Sequence, residues 1–305
     1  MASAAWADQY PSRQVTIVVP YPAGVPFDLL ARALAERIRP KLGAPVIVEN
    51  RPGGNGIVAT QSALQAKADG HTLLLGSSAF TSIPLLMDKP GYATTDFVAV
   101  APLGMASYML FVGGNVPAGD IPSLISYMKA NAGKINMGVL AAGGTVQLLA
   151  RRFAAVAGVE LTEIRYRGST DMAAAMVTGD IQMMFSAYNS ARPFLESGKI
   201  KAVAVGTDDR SSLLPDLPTF KEKGFPTVTG SGWLALYVRA ETPPEIVSKI
   251  KSAVAEVIKD PAYREALRAG GMDPWPMPLE NLQAYIDEDT RAWDRDIKEL
   301  KLKLQ

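Results

Sequence analysis

The sequence predicts an α/β fold composed of two doubly wound lobes. Apolar, β-branched runs of strand length alternate with amphipathic stretches of helical periodicity, which is typical of parallel sheets covered by helices. The alternation occurs in two series, and two longer apolar stretches, 107–112 and 230–238, separate them. We therefore expect residues 1–105 and 230–305 to form lobe one and residues 106–229 to form lobe two, with two crossing strands between them.

The first series begins with a β-branched strand at 15–19, a stiff turn at 20–28 and a helix whose apolar residues recur at helical spacing. Strands at 46–49 and 72–75 follow, each with a turn of small residues and a helix. Asp28 lies in the first turn of the first helix. There the helix dipole favours a carboxylate, and a ligand-facing group is the alternative.

The second series alternates strands and helices in the same way. We predict its strands at 107–112, 135–138, 163–166, 181–185 and 201–205. The strand at 230–238 then leads into two long helices, at 243–258 and 279–300.

Composition excludes several classes of function. The formal charge of +1 comes from 31 basic and 30 acidic residues spread along the chain, so neither a nucleic-acid surface nor a polybasic membrane patch is expected. The sequence has no cysteine and one histidine, His71, which argues against a thiol nucleophile and a Cys/His zinc site. We expect neither a metal nor a cofactor, and we expect a small ligand as the partner.

The N-terminal residues Ala5-Trp6-Ala7 fit the small-x-small pattern of a signal-peptidase site. We interpret them as the remnant of a removed export signal. An alanine-rich terminus without such a role is the alternative.

Five turns at the carboxyl ends of predicted strands are the candidate functional elements. They are residues 20–28, 76–78, 141–145, 167–171 and 186–190. In an open α/β sheet this edge binds ligands, and each turn places small or hydroxyl residues before a helix N-terminus, which favours an anion such as a carboxylate.

Each turn taken alone has an ordinary structural explanation. Ser78 and Thr145 are also typical helix N-caps, and Gly24, Gly144 and Gly168 are also explained by a left-handed backbone. Recurrence of the turns in both series is what favours binding.

Two further motifs each allow a functional interpretation and an alternative. Gly54-Asn55-Gly56 with Ala59 matches a dinucleotide-binding fingerprint and would suit an NAD-dependent oxidoreductase, but it follows the second strand instead of the first. Arg192 precedes a proline at a strand–helix junction, where it would bind a carboxylate in bidentate fashion; a surface arginine is the alternative.

Together the motifs resemble the Bug family, the periplasmic solute receptors of tripartite tricarboxylate transporters. The resemblance rests on ordered motifs from Tyr10 to about residue 300: Pro20-Tyr21-Pro22-Ala23-Gly24 with Asp28, Glu49-Asn50-Arg51-Pro52-Gly53, Asp69-Gly70, Tyr166-Arg167-Gly168-Ser169, Gly179-Asp180, Gly198-Lys199 and Leu214-Pro215-Asp216-Leu217-Pro218. It implies a type II periplasmic-binding-protein fold that closes by a hinge on a small carboxylate. It also implies a periplasmic monomer that is not an enzyme and that delivers its ligand to membrane permease subunits, with a sensor kinase as the alternative recipient.

Carried over by position, the resemblance implies a ligand-binding set in both lobes. Its members are Gly24, Val25, Pro26, Phe27, Asp28, Ser77, Ser78, Gly144, Thr145, Gly168, Ser169, Ala187 and Asn189. Arg192 is added to the set as a cation that would bind a second carboxylate.

Departures from the family pattern suggest the kind of ligand. Val25 stands where relatives usually have Gly, Phe27 replaces a small polar residue, and Ala187 replaces Asn or Asp. An apolar loop with an additional Arg192 suits a dicarboxylate with an apolar or aromatic middle. We therefore expect an aromatic dicarboxylate, with terephthalate as the leading candidate.

Overall fold

The computed structural model describes residues 10–140, 144–166 and 168–299. The predicted signal-peptidase site at residues 5–7 lies outside these ranges. So do residues 141–143 and 167, which belong to two of the candidate turns.

The described chain contains nine strands. They are β1 (Val15–Val19), β2 (Val46–Asn50), β3 (Thr72–Ser77), β4 (Phe97–Gly113), β5 (Asn136–Val139), β6 (Thr162–Arg165), β7 (Met183–Ala187), β8 (Ile200–Val205) and β9 (Ser231–Arg239).

Ten α-helices are present in the same residues. They are α1 (Pro26–Leu42), α2 (Ile57–Leu64), α3 (Ser78–Leu86), α4 (Ile121–Ala130), α5 (Thr145–Ala157), α6 (Ser169–Thr178), α7 (Tyr188–Glu196), α8 (Pro244–Val257), α9 (Pro261–Ala269) and α10 (Leu282–Glu299). None of these helices is long and apolar enough to cross a membrane.

The chain divides into two compact units. The first contains the described residues up to Met105 together with Trp233–Gly270 and Pro274–Glu299. The second contains the described residues of Ala106–Gly232 together with Gly271–Asp273. Strand β4 therefore begins in the first unit and ends in the second, and β9 runs from the second unit back into the first.

The sheet of the first unit has the order β2-β1-β3-β9. β1 pairs in parallel with β2 and β3, and β9 is antiparallel to β3. Its core gathers buried side chains of several helices and strands around Phe80, Trp233 and Tyr237. The Phe80 and Tyr237 rings lie 4.7 Å apart, a spacing at which aromatic pairs contribute more than their buried area alone.

The sheet of the second unit places β6, β5, β7 and β4 side by side, with β8 also paired to β4. β5 is parallel to β6 and β7, so the carboxyl ends of these three strands lie at one edge. One face packs on a cluster that includes Phe153, Phe185 and Phe220, and another cluster is rich in methionine.

The α/β prediction is confirmed, and the structure refines it in three respects. β4 and β9 are antiparallel to their neighbours, so the sheets are mixed instead of purely parallel. β4 is one 17-residue strand that begins at Phe97, ten residues before the strand predicted at 107–112. Helix α9 was not predicted, although Asp260 caps its N-terminus by accepting a hydrogen bond from the Ala262 amide.

Candidate functional site

Each of the five candidate turns connects the end of a strand to the N-terminus of a helix. The turns precede α1 and α3 in the first unit and α5, α6 and α7 in the second. A helix N-terminus leaves its first amide groups without intrahelical partners, so every one of these turns can present N–H donors to an anion.

The loop before α1 follows the sequence prediction closely. Gly24 has a φ of +86°, which confirms the left-handed backbone at this position. Val25 is the N-cap of α1 and has an extended backbone, and Pro26 is the first helical residue. Gly24 and Pro26 are exposed, whereas Val25 and Phe27 are half-buried. The two apolar departures from the family pattern therefore lie in this loop with part of their surface accessible.

Asp28 points into the protein and holds the loop together. Its side chain is 1% exposed. Oδ2 accepts hydrogen bonds from the Gly24 amide at 2.8 Å and from Arg32 Nε at 3.0 Å, and Oδ1 accepts one from Asn50 Nδ2 at 2.8 Å. These contacts favour the structural interpretation of Asp28 over the ligand-facing one, because both carboxylate oxygens are already engaged.

The pKa of Asp28 reflects these hydrogen bonds. Burial opposes the charged form, but the hydrogen bonds from Arg32, Gly24 and Asn50 and the charge of Arg32 outweigh it and hold the pKa below its ordinary value. Asn50 completes the cluster, since its Oδ1 accepts from Arg32 at 3.0 Å and its amide donates to the Tyr21 carbonyl at 3.0 Å.

Tyr21 connects this loop to the second turn of the first unit. Its hydroxyl donates to Ser77 Oγ at 3.0 Å, and its ring meets Phe27 edge-on with centroids 4.7 Å apart. Burial raises the pKa of Tyr21 and the hydrogen bond with Ser77 lowers it in part, so the phenol stays protonated at neutral pH.

Ser77 and Ser78 lie at the junction of β3 and α3. Ser77 is the N-cap, and its Oγ accepts from the Ala79 amide at 3.3 Å. Ser78 is the first helical residue, and its carbonyl accepts from the Thr81 hydroxyl at 3.1 Å. Both serines are half-buried. The N-cap interpretation of Ser78 is therefore wrong, because Ser77 is the N-cap.

In the second unit, Gly144 is the N-cap of α5 and Thr145 is its first residue. The Gly144 carbonyl accepts from the amides of Gln147 and Leu148 at 3.0 and 3.1 Å. Thr145 is 6% exposed, and a Cβ added at Gly230 would lie 3.2 Å from its Cγ2 methyl. The glycine therefore leaves the space in which the Thr145 side chain sits.

The next turn places Gly168 as the N-cap of α6 and Ser169 as the first helical residue, both half-buried. Gly168 has a φ of −148° and Gly144 a φ of −92°. The left-handed alternative is therefore wrong for these two glycines, and it holds only for Gly24. Extended backbone at an N-cap is open to most residues.

The third turn of this unit contains Ala187, the extended N-cap of α7, and Asn189 in its first turn. Gly271 packs beside Asn189. A Cβ on Gly271 would lie 2.6 Å from Asn189 Cγ, and the glycine has a φ of +72°. The close approach of Asn189 and the positive φ both require glycine at position 271.

Arg192 lies on the outer face of α7. Its side chain is 56% exposed, and Nε donates to Glu196 Oε1 at 2.7 Å, one helical turn further on. This pairing favours the alternative that Arg192 is a surface arginine.

The remaining motifs have structural roles. Gly54–Gly56 forms an exposed 3-10 turn in which Asn55 has a φ of +55°. His71 is buried, and its Nε2 accepts from the Ser12 amide at 3.1 Å.

Sequence reasoning missed Tyr21 and Asn50 as parts of the site. A signal for Asn50 existed, because β1 and β2 pair in parallel with Val19 opposite Asn50, which places the end of β2 beside the loop that follows β1. The role of Tyr21 depends on the position of β3 beside β1, which local sequence does not encode.

A family model described as "Tripartite tricarboxylate transporter family receptor" matches residues 30–302. The "Protein BugT" of Bordetella pertussis is 30% identical over 306 aligned positions, which cover 98% of this chain and 93% of that protein.

Solved structures agree with this match. "Structure of periplasmic binding protein BugD" has a TM-score of 0.78 and 30% identity, covering 97% of this chain and 100% of that one. "R. palustris Rpa4515 with adipate" has a TM-score of 0.81 and 29% identity, covering 96% and 99%. The family is one of receptors and BugD is a periplasmic binding protein, so these relatives are solute-binding proteins and not enzymes. The chain therefore belongs to the tripartite tricarboxylate transporter receptor family, whose members are periplasmic solute-binding proteins of the Bug type.

Proposed function

We propose that this receptor captures a small dicarboxylate, with terephthalate as the leading candidate, and delivers it to membrane permease subunits. The observation that carries the proposal is the edge of the second unit's sheet, where α5, α6 and α7 begin. Their N-caps are Gly144, Gly168 and Ala187, and none of these three residues caps its helix with a side-chain hydrogen bond. Three neighbouring helix N-termini therefore retain amide donors and positive dipole ends for one carboxylate.

Among the other helices, α3, α4 and α9 begin with a side-chain cap, whereas α1, α2 and α8 do not. Ser77, Asp120 and Asp260 each accept an amide hydrogen bond of the helix that they precede. Replacing a capping side chain by alanine costs about 0.5–2 kcal/mol, and replacing it by glycine costs only about a few tenths of a kcal/mol. What distinguishes α5, α6 and α7 is that three such N-termini lie at one sheet edge, where their amides can donate to a single anion, and a carboxylate has the oxygens to accept these hydrogen bonds.

The first unit supplies the preference for the rest of the ligand. Val25 and Phe27 make the loop before α1 apolar, and Tyr21 supports the Phe27 ring. Such a surface suits the methylene or aromatic middle of a dicarboxylate better than an ammonium or a hydroxyl group. Adipate has four methylene carbons between its carboxyl groups, and the shortest path around the terephthalate ring also has four carbons. The neighbour named for adipate therefore supports a ligand of this length.

Within this proposal the two units act as the lobes of a hinged receptor. The residues proposed to contact the ligand are Gly24, Val25, Pro26, Phe27, Ser77, Ser78, Gly144, Thr145, Gly168, Ser169, Ala187 and Asn189, with Asp28 holding the loop. A ligand that contacts turns of both units binds the closed state better and shifts the population toward it. Removal of an export signal at residues 5–7 and a monomeric state belong to the same proposal.

Calorimetric titration with a panel of acids tests the ligand class. The panel contains terephthalate, adipate, benzoate, glutamate and nicotinate. We expect terephthalate and adipate, the dicarboxylates without an amino group, to bind more tightly than benzoate. Tight binding of glutamate or nicotinate, with none of terephthalate or adipate, contradicts the proposal.

Thr145→Ala tests the carboxylate site of the second unit. Loss of a hydrogen bond to a charged group is expected to weaken binding by about 1.5–3 kcal/mol. Thr178→Ala is the matched control, because Thr178 is an exposed threonine at the far end of α6 whose hydroxyl donates to Ala175. An unchanged affinity of the Thr145 variant argues against this site.

Arg192→Ala distinguishes the two interpretations of the arginine. Because its guanidinium pairs with Glu196, we expect the variant to bind terephthalate and benzoate as the unaltered protein does. A loss confined to the dicarboxylates would instead assign the second carboxylate to Arg192.

A further inference from the structure

The hydroxyl groups of Tyr21 and Ser77 form a directed hydrogen-bond chain at the start of α3. Tyr21 donates to Ser77 Oγ at 3.0 Å, and the Ala79 amide donates to the same oxygen at 3.3 Å. A serine hydroxyl has two acceptor lone pairs and one proton to donate. With both lone pairs engaged, Ser77 retains only its role as a donor.

We propose that Tyr21 is a positioning residue that fixes the Ser77 hydroxyl as a donor to the ligand carboxylate nearest the first unit. This inference rests on the proposed function, because it assigns one end of the dicarboxylate bound there. A group that can only donate selects an ionised carboxylate, which can only accept. It discriminates against a methyl group at the same position, since burial would leave the donor unpaired.

Two further contacts keep Tyr21 in place for this task. Its carbonyl accepts from Asn50 Nδ2 at 3.0 Å, and its ring packs edge-on against Phe27. Asn50 is in turn bonded to the buried Asp28. Asn50 and Asp28 lie outside the set of residues proposed to contact the ligand. They hold Tyr21, and through it the Ser77 proton, before a ligand arrives, so little ordering remains to be done on binding.

The role of Ser77 as the N-cap of α3 helps to fix the direction of this chain of hydrogen bonds. The Ala79 amide is fixed by the first turn of α3, so one Ser77 lone pair is committed to the helix whatever Tyr21 does. Without the Tyr21 hydroxyl, the Ser77 proton can rotate toward other acceptors. Loss of the tyrosine oxygen should therefore act on binding only through Ser77.

A double-mutant cycle measured by calorimetry with adipate and terephthalate tests this inference. Tyr21→Phe is expected to weaken both dicarboxylates about five- to tenfold, part of the value of a hydrogen bond to a charged group. It should leave benzoate and 4-methylbenzoate within about twofold. In the Ser77→Ala background, Tyr21→Phe should change dicarboxylate affinity less than about twofold, because the two residues act as one unit.

Tyr92→Phe is the matched control. Tyr92 also donates its hydroxyl to a residue of α3, the Phe80 carbonyl at 2.9 Å, and it also loses one phenol oxygen in the variant. We expect Tyr92→Phe to lower the melting temperature of the unliganded protein without changing dicarboxylate affinity. A purely structural effect of Tyr21 would make the two variants behave alike.

Two results overturn the assignment of Tyr21. Equal losses from Tyr21→Phe with and without Ser77 show that the tyrosine acts independently of the serine, and an unchanged affinity of Ser77→Ala shows that the serine does not touch the ligand. If the unaltered protein binds no dicarboxylate, the proposed function fails and this inference fails with it. Dicarboxylate binding with uncoupled variants refutes the role of Tyr21 alone.

Discussion

Replacing Asp28 by asparagine should destabilise the unliganded protein by about 2–4 kcal/mol, because a buried carboxylate with three donors becomes an amide with one acceptor. Asp28 Oδ2 accepts from the Gly24 amide and Arg32 Nε, and Oδ1 accepts from Asn50 Nδ2, all within 2.8–3.0 Å. The variant keeps the shape of the side chain, so the change isolates its charge and acceptor count.

The magnitude follows from the two orientations of the new amide. With its oxygen in place of Oδ2, the amide NH2 faces the Asn50 NH2 group, and one charge-assisted bond is lost at about 1.5–3 kcal/mol. The opposite orientation loses the bonds from both Gly24 and Arg32 and is worse. The surviving bonds also weaken, since those to an ionised acceptor are roughly twice as strong as neutral ones. Arg32 is half-exposed and adds little to this sum.

Equilibrium unfolding in urea measures the loss, and Asp171→Asn is the matched control. Asp171 is the third residue of α6, as Asp28 is of α1, but its side chain is exposed. The control should lower the free energy of unfolding by less than about 1 kcal/mol, which is the stabilisation that a carboxylate gains near a helix N-terminus. Equal losses at the two positions, or a loss below about 1 kcal/mol at Asp28, would refute the reasoning.

The pH dependence provides a second readout of the same carboxylate. The pKa of Asp28 is lower in the folded protein than its ordinary value, so the stabilisation is complete above that value and disappears as the pH falls through the folded-state pKa. The difference in stability between the unaltered protein and Asp28→Asn should therefore be constant near neutral pH and shrink below about pH 4. A difference that grows on acidification contradicts the assigned sign.

Two further substitutions test packing and polar contacts by urea unfolding. Gly70→Ala should lower the free energy of unfolding by at least about 3 kcal/mol, because φ is +76° and the new Cβ would lie 2.4 Å from Ile246. Gly43→Ala is the control: φ is +75° but the surrounding space is open, so the loss should be only about 1–2 kcal/mol. Equal losses at the two positions would contradict the overpacking at Gly70. Asp273→Asn should lower the free energy of unfolding by about 2–4 kcal/mol, because Ser107, Ser211 and Ser212 all donate to its carboxylate within 2.6–2.9 Å. A loss below about 1 kcal/mol would contradict this role of the carboxylate.

Much of the fold could be predicted because its signals are local. The strand at 15–19 and the helix that begins beside Asp28 follow from β-branched residues, helical spacing and a proline at the first helical position. The direction of β4 and β9 could not be predicted. An apolar run of strand length has the same composition in either direction, and only its hydrogen-bonded neighbours decide which one it takes.

The candidate site divides in the same way. The start of α5 was predicted to within one residue, because small residues before an amphipathic stretch indicate a helix start. Helix α6 begins at Ser169, inside the turn predicted at 167–171. The surroundings of Arg192 were not predicted. Whether an arginine faces a ligand or a neighbouring glutamate depends on which face of its helix packs inward, and α7 buries Ala191 instead.

The sequence by itself determined the α/β class, the family and the turns at the ends of the strands, because each rests on residues that are close together in the chain. Only the tertiary structure decided the role of each side chain in those turns. Asp28 turned inward because Asn50 and Arg32 converge on it, and Tyr21 reached Ser77 because β1 and β3 are neighbours in the sheet. Hydrogen bonds between residues 22–56 positions apart depend on strand order and register, which chain-local patterns do not specify.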